Sequence, residues 1–130
     1  MENVQYDAET LEFFANCDHF TALQNELGYE SIWSIHDAGQ VGLDFKMLKS
    51  ATRIRYQFVR EDATTAEIMA DLDDGGQRSM AEVTSIAVTG TVGDLWRAAE
   101  SCIKQSGTHH RYIENFEMQD DGTLMLITGS

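Results

Sequence analysis

Apolar side chains recur at Phe13, Cys17, Phe20, Leu23 and Leu27, in steps of three and four, the spacing of one helical stripe. Asp7 suits the N-cap, because its carboxylate can accept from first-turn amides, and Glu9 favours the positive helix end. Gly28 supplies a left-handed stop. Asp18 with Thr21 leaves one long helix and two short ones equally open. The period then shortens. Trp33 and Ile35, followed by Val41, Leu43, Phe45 and Met47, alternate on either side of Asp37-Ala38-Gly39, which predicts a hairpin. Thr52 to Arg60 is the clearest strand, with Ile54, Tyr56 and Phe58 on one face and Arg53, Arg55 and Gln57 on the other. Residues 65–72 fit a helical turn and an alternating strand equally well. Ala81 to Thr89 has β-branched residues on both faces, as a central strand would.

A second helix is predicted after Thr91, where Thr91 and Asp94 form a capping box and Val92, Leu95, Trp96, Ala99, Cys102 and Ile103 make the buried face. Gly107 closes it. His109 to Met118 and Thr123 to Thr128 then read as a hairpin around Asp121-Gly122, a dipeptide that type I′ turns prefer. The expected fold is α+β: one domain over residues 1–130, with a mostly antiparallel sheet of five to seven strands and two main helices packed on one face.

Charge changes this picture. The 130-residue chain has 22 acidic and 9 basic side chains, for a net charge of -13. Residues 1–45 contain no Lys or Arg, residues 46–60 hold Lys46, Lys49, Arg53, Arg55 and Arg60 without an acid, and residues 61–75 are again purely acidic. Such a body repels phosphate backbones and anionic lipid, so neither nucleic acid nor membrane is an expected partner. A cationic small molecule or a basic protein would be attracted. No apolar run approaches the ~18 residues of a membrane span. The opening MENVQYDAET lacks the basic head and apolar stretch of a secretory signal. With only two cysteines, a reducing, cytoplasmic setting is expected.

Candidate chemistry is sparse. Cys17 and Cys102 both fall on apolar helical stripes and read as small buried hydrophobes. Asp73-Asp74-Gly75-Gly76 reads first as a hairpin turn. The run DLDDGGQRSMAE also resembles an EF-hand calcium loop, which would give ligand places to Asp71, Asp73, Ser79 and a bidentate Glu82. Arg78 in an aliphatic place, a fifth-place Gly75 without a side-chain oxygen, and the lack of a second loop depart from that pattern. Arg53 and Arg55 form either a clamp for an acidic ligand or the counter-charges of neighbouring acids. On a strand, His110, Tyr112 and Glu114 would share a face at about 6.7 Å intervals, which leaves the outer two about 13 Å apart and unable to bind one metal alone. A phosphate-cradling glycine loop, HExxH, GxSxG and CxxC are all absent. No cofactor is expected.

The C-terminal stretch HHRYIENFEMQDDGTLMLITGS, on a small acidic single domain, resembles orphan proteins carried on mobile elements, such as integron gene cassettes. The resemblance implies a compact, cytoplasmic, self-associating bacterial protein, and it carries no site residues with it. Three functional expectations follow. The first is a non-catalytic, self-associating binding module, motivated by apolar side chains on more than one sheet face (Trp33, Tyr56, Phe58, Tyr112, Phe116, Met118, Met125). The second is a small-ligand protein or enzyme with a pocket of Trp33, His36, Tyr56, His110, Tyr112 and Glu114, using His/Glu acid–base chemistry. The third is an acidic inhibitor of a basic protein partner.

Overall fold

The structure, a computed structural model, describes residues 6–33 and 40–129. Helix α1 (Ala8–Leu27) is continuous, begins where the Asp7 carboxylate accepts from Thr10 N–H at 2.7 Å, and ends at left-handed Gly28. Strands β1 (Ile32–Trp33) and β2 (Thr52–Val59) follow. The ambiguous stretch is a helix, α2 (Thr65–Asp74). A reciprocal capping box between Thr64 and Glu67 starts it, a local signal that outweighs apolar alternation. The acidic run after Leu72 is therefore a helix end at left-handed Gly75, and the expected hairpin turn is corrected. Then come β3 (Met80–Ala87), α3 (Val92–Ser106), β4 (Tyr112–Met118) and β5 (Leu124–Gly129).

The α+β class holds, with a five-stranded sheet ordered β1-β4-β5-β2-β3. β1 lies parallel to β4 and β5 parallel to β2, whereas β4–β5 and β2–β3 are antiparallel. The sheet is thus mixed where a mostly antiparallel one was expected, and three helices stand where two main ones were. Side-chain alternation reports which face a residue occupies but nothing about the direction of its neighbour. β3 is an edge strand, which corrects its expected central place; Thr84 and Ile86 are β-branched residues on an exposed face. Around Asp121-Gly122, Gly122 N–H donates to the Gln119 carbonyl, and Gly122 alone takes positive φ (85°). This is a type I turn closed by a left-handed glycine, in place of the expected type I′.

Val41 to Met47 form no strand, so the predicted hairpin is not made; Ile35, His36 and Asp37-Ala38-Gly39 lie outside the described residues. The segment serves the start of α3 instead. Val92 N–H donates to the Phe45 carbonyl and Gly93 N–H to the Leu43 carbonyl, while Met47 and Leu48 N–H both reach the Gly90 carbonyl. Thr91 Oγ1 accepts from Asp94 N–H, and the Asp94 carboxylate turns to Thr89 and Gly90 N–H. Every amide that a helix start leaves unpaired is therefore filled from within the chain. Gly90 must stay glycine: its φ is 73°, and a Cβ there would lie 2.7 Å from the Leu48 carbonyl oxygen.

One face of the sheet packs against α1 and α3. Ile54 and Tyr56 of β2, Ala87, Ile113, Leu124 and Leu126 are buried with Phe20 and with all six residues predicted for the buried face of α3. Trp33 joins the helices to the sheet through rings of Trp96 at 5.8 Å, Phe20 at 6.3 Å and Phe116 at 5.4 Å. The residues expected to spread over two sheet faces are mostly here: Trp33 and Tyr56 are buried, and Phe58 and Phe116 pack against the core. Tyr112 and Met118 stay exposed. The amino-terminal half of α1 departs from its predicted stripe, since Phe13 is 45% exposed beside exposed Leu11 and Phe14. No described helix is long and apolar enough to cross a membrane.

Candidate functional site

Because β2 and β5 run parallel, their carboxyl ends lie at the same edge of the core. Met80, opening β3 opposite Val59, and the loop after α3 complete a cleft of about 380 Å³ there. Phe58, Val59, Met80, Leu126 and Ile127 give it an apolar wall; Tyr56, Gln57, Thr108, His110 and Thr128 supply polar groups. The Tyr56 and Phe58 rings stack at 5.8 Å and 29°.

Thr128 is the centre of the polar end. Its Oγ1 lies 2.7 Å from the Tyr56 hydroxyl and 2.9 Å from His110 Nδ1. The His110 N–H donates to Thr108 Oγ1, which fixes the loop that presents the ring. A hydroxyl owns one proton, so the chain runs one way at a time. Either Tyr56 donates to Thr128 and Thr128 to His110, leaving Nε2–H as a donor, or His110 donates to Thr128 and Thr128 to Tyr56, leaving the phenol O–H as the donor. Both states end in one donor and one acceptor.

Of the residues expected in a pocket, Tyr56 and His110 are thus brought together, bridged by a residue the sequence reading passed over. The available signal was position: Thr128 continues the inward alternation of Leu124 and Leu126, so a hydroxyl points where an aliphatic would be expected. The remaining expected residues are elsewhere. Trp33 is only 2% exposed, in the core. Tyr112 is exposed opposite Gly129, and Glu114 sits at an irregularity of the β4–β5 ladder, against Gly129. His36 lies outside the described residues.

The acidic segment is occupied by its own chain. Asp71 accepts from Ser79 Oγ at 2.5 Å, Ser79 N–H at 2.8 Å and Arg78 N–H at 2.9 Å, and the Ser79 bonds foremost hold its carboxyl below the usual range. Arg78 pulls Asp74 down to about 2. Asp73 is exposed at the end of α2, and Glu82, on β3, pairs with Arg55 at 2.8 Å. The structure therefore brings Asp71 and Ser79 together but leaves Asp73 and Glu82 apart from them. Among the described residues no group of three or more His, Cys, Asp or Glu is placed to hold a metal ion. Arg60 is likewise engaged, by Asp62, Glu67 and the Arg78 carbonyl. Burial pushes the Cys102 thiol up to about 11, far from a nucleophile's range. Compared with family models, with curated proteins and with solved structures, the chain matches none.

Proposed function

We propose that this chain is a non-catalytic binding module whose cleft takes a small uncharged molecule with an apolar body and one hydrogen-bonding group. The observation that carries the reading is the Tyr56–Thr128–His110 chain at one end of a mainly apolar cleft. A volume of about 380 Å³ falls at the lower end of the range of small-ligand sites, roughly 300–1,000 Å³. Net charge of -13 disfavours anions at long range. Binding is favoured over catalysis because the Thr128 hydroxyl is tied on both sides, and because among the described residues no carboxylate bonds His110 to orient it as a base.

Thermal-shift and NMR titrations with phenol, indole and benzamide, with toluene as a shape control, test this. The polar probes should raise Tm, the added stability approaching roughly 2.7 kcal/mol at a hundredfold Kd. Thr128→Val, which keeps the shape and removes the hydroxyl, should weaken them about tenfold and spare toluene. Absence of any shift, or equal binding by the variant, overturns the reading.

A second reading rests on α1. Leu11, Phe13 and Phe14 stand exposed beside Glu9 and Glu12, an apolar surface rimmed by acids. That chemistry suits a basic protein partner with an apolar groove, as an acidic inhibitor would use. Its binding should weaken steeply as salt rises.

A further inference from the structure

We propose that two copies of this chain pair through β3, antiparallel about a two-fold axis at Val83. This goes beyond the cleft, with which the pairing strand shares only Met80.

Among the described residues, no strand of this chain covers the outer edge of β3. β3 is the terminal strand of the sheet and matches β2 over eight uninterrupted pairs, Met80 to Ala87, with no register shift. Natural edges of this length are blunted by proline, lysine or a bulge. The strand MAEVTSIA has none of these. The opposite edge, β1, is two residues long.

The β2 ladder fixes which backbone groups of β3 face outward. Arg60 N–H donates to the Ser79 carbonyl, one step beyond the last β2–β3 pair. Residues alternate in direction along a strand, so Ala81, Val83, Ser85 and Ala87 bond to β2 while Met80, Glu82, Thr84 and Ile86 face away. Two of these outward groups are already filled. Met80 N–H donates to the Gln77 carbonyl at 3.1 Å, and the Ile86 carbonyl accepts from Arg97 Nη2 at 2.7 Å. Both amide and carbonyl of Glu82 and Thr84 remain without a partner among the described residues, as do the Met80 carbonyl and the Ile86 amide.

One self-pairing uses these groups and no others. With the axis at Val83, Glu82 faces Thr84 of the second copy and the two exchange both bonds; Ile86 N–H reaches the Met80 carbonyl of the second copy. The one bond this register would waste, from Met80 N–H to Ile86 carbonyl, joins the two groups already filled. Side chains agree: Met80 meets Ile86, Glu82 meets Thr84, and Val83 meets Val83 at the axis. Moving the axis to Glu82 sets two carboxylates opposite each other, and moving it to Thr84 aims Glu82 N–H at the Ile86 carbonyl that Arg97 occupies. Glu82 also brings little free charge, since Arg55 holds it from the same sheet face. The product is a symmetric, continuous ten-stranded sheet whose long edges are gone, a closed isologous pairing.

Light scattering and sedimentation on the full chain at about 50 µM and 150 mM salt should give a dimer mass. Thr84→Pro removes an outward N–H without touching the β2 ladder, a place where an edge strand tolerates proline. It should remain folded by circular dichroism and raise the dimer Kd about tenfold or more. Thr84→Glu, which sets a carboxylate directly opposite Glu82 of the second copy, should do the same and decides the matter if the proline variant fails to fold. In the dimer, amides of Glu82, Thr84 and Ile86 should be protected from hydrogen exchange. A monomeric wild-type chain overturns the proposal. So does a dimer that persists in both variants, which would place the contact on another surface.

Discussion

Glu100 shows how one buried acid joins distant parts of the chain. It is 4% exposed, and its Oε1 accepts from Glu30 N–H at 2.7 Å and Ser31 N–H at 3.1 Å; the Ser31 hydroxyl in turn accepts from Trp96 Nε1. Removing the acceptor strands two amides beneath α3, each costing about 1–3 kcal/mol. Glu100→Ala should therefore lower stability by about 3 kcal/mol in urea unfolding, and Glu100→Gln, which retains the oxygen, by about half of that. In the last turn of α2, Asp71 and Asp74 are held below their ordinary pKa, Asp71 foremost by Ser79 and Asp74 by Arg78, the latter at about 2. A depressed folded-state pKa stabilises above the unfolded value and is lost as pH falls through the folded one. Thermal stability should thus decline from about pH 4 down to about pH 2, and an Asp71→Asn/Asp74→Asn variant should show a shallower acid limb.

At the scale of elements, local signals were legible and lateral relations were not. Asp7 and Gly28 bounded α1, Thr91 and Gly107 bounded α3, and alternation located β2, because each signal is confined to a few neighbouring residues. For α2, Thr64 and Glu67 carried the same kind of mark and settle the helix. Thr64→Ala should cost about 1 kcal/mol, measured by thermal unfolding. Which strand lies beside which depends on contacts far apart in sequence, so the parallel β5–β2 pair and the edge position of β3 left no trace in a period of two. The same limit applied to the cleft. Tyr56 and His110 were visible as candidates, but the Thr128 that links them became meaningful only once β5 lay next to β2. Tyr112 failed to join them because His110 lies in the loop before β4 and outside its alternation, Glu114 because the ladder slips between Ile113 and Asn115, and Trp33 because it was drawn into the aromatic core.

Over the whole molecule, charge opposes compaction and contact alike. With -13 spread on 130 residues, screening should matter: raising sodium chloride from about 10 to 500 mM should increase Tm and also strengthen any pairing of identical copies. What resists this strain is main-chain carpentry, and the stretch from Leu43 to Leu48 is its least conspicuous joint. With neither helix nor strand of its own, it acts as a buckle on α3. Should it slip, Val92 and Gly93 would be stripped of their acceptors before a single strand parted. The earliest local opening is thus expected at the front of the best-packed helix, where hydrogen exchange would register Val92 and Gly93 well ahead of Ala99 and Cys102.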